Sequence, residues 1–131
     1  MKLLFVCVEN SCRSQMAEAF ARASGVSGLE VYSAGSRPSG VVNPRAIEFM
    51  NELGLDLGTH RSQSVDELAH HAPFDTIVTM GCGDECPHVP TRARIDWDLE
   101  DPKHLPPDQF RATRDRIAEL VNQLLEIEAE V

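Results

Sequence analysis

The order of apolar and polar residues divides the chain into short strand-like runs and longer segments with helical periodicity. Residues 3–8 are apolar throughout and rich in branched side chains, which is typical of a strand that is covered on both faces. After a polar stretch, residues 13–24 have apolar positions at helical spacing, and Gly25 ends the pattern. The apolar face predicted for this helix consists of Met16, Ala19, Phe20 and Ala23.

The rest of the chain continues this alternation of strands and helices. Pro44 suits the first turn of a helix that Gly54 ends, and Ser64 and Glu67 have the spacing of a capping box. The further predicted elements are strands at 29–33, 76–80 and 93–96 and helices at 45–53, 65–72 and 107–130. Alternating strands and helices predict a three-layer α/β fold, with a central four-stranded parallel sheet and helices on both faces.

Residues with candidate chemistry follow three of the predicted strands. Cys7 and Arg13 come after the first strand, and Cys82 and Cys86 after the third. Asp101 follows the fourth strand. Because the carboxyl ends of parallel strands meet at one edge of the sheet, we expect all five side chains at the same end of the molecule.

The segment between the first strand and the first helix has the features of an oxyanion-binding loop. In the pattern C-x5-R, backbone N–H groups and the helix N-terminus can bind a tetrahedral anion while the guanidinium of Arg13 holds two of its oxygens. The same positive field favours the thiolate of Cys7, and Ser14 can hydrogen-bond to it. The residues predicted to bind the oxyanion are Val8, Glu9, Asn10, Ser11, Cys12, Arg13 and Ser14.

Length, charge and cysteine content limit the remaining possibilities. The 131 residues contain no visible linker, so we expect one domain over 1–131. A net charge of -9 disfavours nucleic acid and anionic membranes as partners. Apolar runs are too short for a membrane span or a signal peptide, and we expect a cytoplasmic monomer. Its four cysteines are then candidates for catalysis, redox cycling or metal binding.

A set of motifs spread over the whole chain points to a known superfamily. They are CVENSCRSQMAE at 7–18, YSAG at 32–35, NPRAI at 43–47, VTMGCGDECP at 78–87, Trp97, and Asp101-Pro102. With these motifs in this order, the chain resembles the low-molecular-weight tyrosine phosphatases, and within them the thioredoxin-coupled arsenate reductases.

The two later cysteines favour the reductase branch of this superfamily. A phosphatase needs a single nucleophilic thiol, whereas arsenate reduction needs two electrons, which Cys82 and Cys86 can supply by forming a disulfide. Packed interior thiols are one alternative, although residues 83–85 have the composition of a polar turn. Zinc binding together with His88 is another, but no second cysteine pair has the usual C-x2-C spacing.

The resemblance implies a sequence of thiol reactions. Cys7 attacks the arsenic of arsenate, and Asp101 protonates the departing oxygen. Cys82 then attacks the sulfur of Cys7 and releases arsenite, and Cys86 attacks Cys82 to leave a disulfide between Cys82 and Cys86. Thioredoxin or a similar thiol reductant restores the dithiol, and no bound cofactor or metal is expected. Gly81 and Gly83 are predicted hinges for the movement of Cys82.

Other activities remain as alternatives. A phosphatase acting on phosphotyrosine or small phosphomonoesters is the first, and a non-enzymatic protein that binds arsenite or a metal is the second. Pro102, Lys103 and His104 stand where these phosphatases typically carry tyrosines, which argues against a phosphotyrosine pocket. We still expect weak phosphatase activity, because a tetrahedral cradle distinguishes phosphate poorly from arsenate.

Some positions depart from the superfamily pattern. Glu9 replaces a usual glycine, and we expect its carboxylate to point away from the anion. Asn10, Glu18 and Ser33 match three positions of a potassium site found in some relatives, but Gln63 replaces an acidic residue, so no cation is assigned. Cys12 is interpreted as a buried thiol without a redox role.

Overall fold

The structure, a computed structural model, describes residues 1–81 and 89–129. Strands β1 (Lys2–Cys7), β2 (Glu30–Gly35), β3 (Phe74–Thr79) and β4 (Thr91–Asp96) form one parallel sheet in the order β2-β1-β3-β4. The helices are α1 (Arg13–Ala23), α2 (Pro44–Asn51) and α3 (Pro107–Ala129), with short 3₁₀ helices at Val65–His71 and Pro102–His104. The predicted four-stranded parallel α/β fold is confirmed.

The two faces of the sheet are covered by different kinds of helix. Leu3 and Phe5 of β1 belong to a large core that includes buried residues of α1, α2 and α3. Leu4 and Val6 point to the opposite face, as successive residues of a strand do, and pack with residues of the 3₁₀ helix at 65–71. Ser64 and Glu67 form the predicted capping box of that helix.

Helix α1 is buried on more sides than an amphipathic stripe predicts. Met16 and Ala19 are buried as predicted, but Ala23 is exposed, so its assignment to the core face was wrong. Ser14, Gln15 and Glu18 are also buried. These polar residues lie in the first two turns of α1, which neighbouring loops cover and shield from solvent.

The register of the sheet brings the ends of several strands together. Cys7 at the end of β1 pairs with Gly35 at the end of β2, and Val6 pairs with Thr79 at the end of β3. Thr79 in turn pairs with Asp96 at the end of β4. The segments that follow these strands therefore start from one edge of the sheet. In the two described ranges, no helix is both long and apolar enough to cross a membrane.

Candidate active site

Residues 7–14, which we call the cysteine loop, carry a buried thiol with an oriented hydrogen-bond partner. Cys7 is 2% exposed, and its Sγ lies 2.9 Å from Oγ of Ser14. The same Oγ accepts a hydrogen bond of 2.7 Å from Nδ2 of Asn10. Because the Ser14 oxygen already accepts this bond from Asn10, its own proton is available to the sulfur of Cys7, and a hydrogen bond donated to the sulfur would orient it.

The carbonyl groups of the cysteine loop are held by the connection between β2 and α2. The carbonyl oxygens of Cys7, Val8 and Glu9 accept from the N–H groups of residues 36, 37 and 39, and that of Ser11 accepts from residue 43. In a trans peptide, the C=O of one residue and the N–H of the next point in opposite directions. The N–H groups of residues 8, 9, 10 and 12 therefore point away from this connection.

Two glycines allow close approaches around the loop. A Cβ on Gly35 would lie 2.6 Å from the carbonyl oxygen of Val8, so a larger residue would push the loop away from the end of β2. A Cβ on Gly81, which has a φ of +76°, would lie 2.6 Å from Nη1 of Arg13. Gly81 thus packs directly against the guanidinium, and it is the last described residue before Cys82.

Asn10 organises the interior side of the cysteine loop. It has a φ of 51°, the left-handed region that asparagine tolerates better than most residues, and its side chain is fully buried. Besides bonding to Ser14, it accepts at Oδ1 from Nε2 of Gln15 at 3.1 Å and from the backbone N–H of Gln63 at 2.9 Å. Glu9 has no such positive φ, so this departure from glycine causes no backbone strain there.

A carboxylate behind the loop is fully engaged with side chains. Glu18 accepts from Oγ of Ser33 at 2.6 Å and from Nε of Arg22 at 2.9 Å, and Nδ1 of His60 lies 3.6 Å from it. His60 also contacts Oε1 of Gln15 at 2.9 Å. Two of the three potassium-type positions, Glu18 and Ser33, are thus in contact, but Arg22 already balances the charge of Glu18. Among the described residues, no group of three His, Cys, Asp or Glu side chains could hold a metal ion.

Arg13 and Asp101 face each other across the open side of the loop. Nη1 of Arg13 donates to the carbonyl oxygen of Leu99 at 2.9 Å, and Nη2 lies 3.8 Å from Oδ2 of Asp101. The side chain of Asp101 is 34% exposed. Its other oxygen, Oδ1, accepts from the backbone N–H of Lys103 at 3.1 Å. The carboxyl group is therefore accessible and lies beside the guanidinium.

Glu9 points to Lys103 rather than freely into solvent. Its Oε1 forms an ion pair with Nζ of Lys103, and this bond is the main reason why the pKa of the lysine is raised. Both side chains are about one-third exposed. The negative charge of Glu9 is thus balanced at the rim of the loop, beside Asp101.

Cys12 differs from Cys7 although both belong to the same loop. It is 2% exposed, and burial, with a smaller contribution from the charge of Asp101, raises the pKa of its thiol to about 12. The thiol of Cys12 is therefore neutral at physiological pH and a poor nucleophile. This supports its interpretation as a buried thiol.

The described residues bring Cys7, Arg13, Ser14 and Asp101 together, whereas Cys82, Gly83, Cys86 and His88 lie outside the described ranges. Sequence reasoning missed several partners: Gln15, His60, the carbonyl of Leu99 and the amine of Lys103. The one available signal was the replacement of a usual loop glycine by Glu9, because a charge in that position needs a partner.

Comparison with known proteins agrees with this geometry. The model of the low molecular weight phosphotyrosine protein phosphatases matches residues 2–131. The chain belongs to this family. It is 37% identical over 127 residues to the glutaredoxin arsenate reductase of Synechocystis sp., covering 95% of each chain.

Solved structures extend the similarity to the fold. An arsenate reductase in the phosphate binding state has a TM-score of 0.83 at 36% identity, with 95% of this chain and 96% of that chain covered. The thioredoxin-dependent arsenate reductase of Corynebacterium glutamicum has a TM-score of 0.78 at 32% identity. That comparison covers 95% of this chain and 60% of the other. Within its family, the chain is thus similar to arsenate reductases.

Proposed function

We propose that this protein reduces arsenate to arsenite with electrons from its own thiols. The observation that carries the proposal is the packing of Gly81 against the guanidinium of Arg13, because Gly81 immediately precedes Cys82. Gly81, the last described residue before the segment with the two later cysteines, therefore lies beside Arg13 of the cysteine loop, which also carries Cys7. The similarity to arsenate reductases supports arsenate as the substrate.

The first step is binding and attack. Arsenate, a tetrahedral anion, binds to the N–H groups of the loop residues Val8 to Ser14 and to the guanidinium of Arg13. The thiolate of Cys7 attacks the arsenic, so that an S–As bond forms and an As–O bond breaks. Asp101 gives its proton to the departing oxygen, which leaves as water. The contact of 2.9 Å between Ser14 and Cys7 supports Cys7 as the nucleophile.

The second step transfers the electrons. The thiolate of Cys82 attacks Sγ of Cys7, an S–S bond forms, and the S–As bond breaks with its electron pair on arsenic, which leaves as arsenite. The thiolate of Cys86 then attacks Sγ of Cys82, and Cys7 departs as a thiolate. Two thiols have lost their protons to solvent and two electrons to arsenic, and the disulfide between Cys82 and Cys86 remains.

A dithiol protein must then reduce this disulfide. We propose thioredoxin or a similar thiol reductant as the electron donor, because one similar reductase is thioredoxin-dependent and another is a glutaredoxin arsenate reductase. The thiols must be kept reduced between turnovers, so we place the protein in the cytoplasm. We propose that it acts as a monomer, with residues 1–131 as one domain and without a bound cofactor or metal.

Serine variants of the two later cysteines test the relay. Cys86→Ser should release one arsenite per protein and stop with a disulfide between Cys7 and Cys82. Cys82→Ser should release little arsenite, since nothing attacks Cys7. The measurements are arsenite released per protein and peptide mapping of the oxidised products. Catalytic turnover of arsenate by both variants with thioredoxin would mean that an external thiol replaces this relay.

Weak phosphomonoester hydrolysis is the second function that the site supports. The observation in its favour is that Arg13 lies 3.8 Å from Asp101 in the same site as Cys7, and these three residues suffice for phosphoryl transfer. Hydrolysis should therefore survive both cysteine changes, which makes it the control for folding. A phosphotyrosine pocket is not supported, because the only tyrosine, Tyr32, stacks on His71 at 4.5 Å instead.

A further inference from the structure

An ion pair joins the cysteine loop to the segment that carries Asp101. Glu9 belongs to the loop, and Lys103 lies two residues after Asp101. We propose that the Glu9–Lys103 pair is a clasp that holds the Asp101 carboxyl over the loop, with Lys103 as a positioning residue for the protonation step. This inference rests on the proposed function, since it takes Asp101 as the acid.

Lys103 is the point at which three parts of the molecule meet. Its Nζ pairs with Glu9, its backbone N–H donates to Oδ1 of Asp101 at 3.1 Å, and its carbonyl oxygen accepts from Nη1 of Arg45 at 2.8 Å. Arg45 belongs to α2, which packs in the main core. The short 3₁₀ helix after Asp101 is therefore fixed by α2 from one side and by the cysteine loop from the other.

Arg13 alone does not fix Asp101. The distance of 3.8 Å between Nη2 and Oδ2 is too long for a hydrogen bond, so the attraction has little directional preference. The backbone N–H of Lys103 is the hydrogen-bond donor to Asp101 among the described residues. The orientation of the acid thus depends on where Lys103 is held, and its amine is held by Glu9.

The pair also neutralises a charge that opposes substrate binding. Without Lys103, the free carboxylate of Glu9 would repel an oxyanion bound in the loop, because both groups are negatively charged. Lys103 balances it with a positive charge, and the bond to Glu9 raises the pKa of a lysine that is already protonated at neutral pH. Loss of the lysine should therefore affect both binding and orientation, whereas loss of the glutamate should affect orientation alone.

Two single variants use this difference. Lys103→Met keeps the aliphatic stem and should lower kcat for arsenate about fivefold to tenfold. The expected decrease lies between the ~5-fold effect of losing an exposed ion pair and the ~100-fold decrease in rate when a general acid is removed. Its KM should rise, because Glu9 is then unpaired. Glu9→Gln should lower kcat similarly without raising KM. Glu119→Gln, which breaks an exposed pair with Arg116 on α3, is the matched control and should change neither.

The reversed pair provides the rescue. Glu9→Lys combined with Lys103→Glu restores an ion pair across the same gap, and kcat should return to within about twofold of the original value. A double variant that is as slow as the single ones overturns the clasp. Single variants with unchanged kcat also overturn it. Equal melting temperatures of all variants show that folding is not the cause.

Phosphomonoesters separate a positioning role from a merely structural one. Phenyl phosphate needs protonation of its leaving group, whereas p-nitrophenyl phosphate has an activated one and needs it much less. Lys103→Met should therefore slow hydrolysis of phenyl phosphate several-fold and change that of p-nitrophenyl phosphate by less than about twofold. Equal losses with both esters would show that Lys103 does not act through the acid.

The same assays distinguish failure of the clasp from failure of the proposed function. If the unmodified protein hydrolyses phosphomonoesters but reduces no arsenate with thioredoxin, the reductase function is wrong. The clasp is then tested only by comparing the effect of Lys103→Met on the two phosphate esters. If it reduces arsenate and the variants match it, only the clasp is wrong. A protein inactive in both reactions overturns both, because there is then no acid step to position.

Discussion

The two sides of the cysteine loop are built on different principles. On the back, Asn10 and Gln15 are fully buried and Glu18 is 7% exposed, and each has several hydrogen-bond partners. On the front, the side chain of Asp101 is one-third exposed, and its Oδ2 lies 3.8 Å from Nη2 of Arg13, too far for a hydrogen bond between the two. The back therefore fixes the shape of the loop, while the front keeps charged groups available for a ligand. Changes on the front should reduce activity with little loss of stability, and changes on the back should reduce both.

The strongest test on the front is Arg13→Lys. The lysine keeps the charge but lacks the planar fork that contacts two oxygens, so kcat/KM for arsenate should fall by at least about 100-fold. The free energy of unfolding should change by only about 1 kcal/mol, the worth of the hydrogen bond to Leu99. Steady-state kinetics and urea denaturation measure the two effects. Near-normal turnover would show that the guanidinium does not bind the substrate.

On the back, Asn10→Ala should destabilise the protein by about 2 to 4 kcal/mol. The change removes the bonds to Ser14, Gln15 and Gln63 and places alanine at a φ of 51°. Arsenate turnover should fall as well, because Ser14 loses its orientation. Asn10→Gly is the matched control: it loses the same bonds but tolerates the backbone angle, so it should recover about 1 kcal/mol of the loss. Equal unfolding free energies for both variants would show that the angle is not strained.

The smallest effect concerns Cys12 and appears only at high pH. Its pKa is raised by burial to about 12 in the folded protein, whereas an unfolded thiol ionises near pH 8.5. Above that pH the unfolded state loses a proton that the folded state keeps. The contribution of Cys12 to stability is thus complete below about pH 8.5 and declines as pH rises towards 12, by about 1.4 kcal/mol per unit.

Replacing this thiol isolates its contribution. Under reducing conditions, the unfolding free energy of Cys12→Ala should fall by about 1 kcal/mol less between pH 9 and pH 10 than that of the unmodified protein. All other titrating groups are common to both proteins and cancel in the comparison. Parallel pH profiles of the two unfolding free energies would mean that Cys12 ionises equally in both states.

Local sequence patterns could predict the sheet and the edge at which the candidate residues meet. Strand β1 is an unbroken apolar run, and the pattern from Cys7 to Arg13 is contained in a few neighbouring residues. The contact of Glu9 with Lys103 could not be predicted, because 94 residues separate them and only the complete fold brings them together. The partners of Gln15 were missed for a different reason, because a buried glutamine gives no periodic signal in a helix. Ala23 was assigned wrongly because helical spacing alone does not show where the supporting core ends.

The hydrogen bonds that hold the loop carbonyls also bear on how quickly and how tightly an oxyanion can be captured. Since the β2–α2 connection already fixes the backbone of the cysteine loop, residues 7–14 do not have to be ordered when an anion arrives. We therefore expect the ordering of these residues to cost little conformational entropy on binding, and diffusional encounter rather than their ordering to limit association. The net charge of -9 then opposes the approach of anions, and dissolved salt weakens that repulsion. For a rigid cradle in an acidic protein, we therefore expect anion association to become faster, not slower, as ionic strength rises.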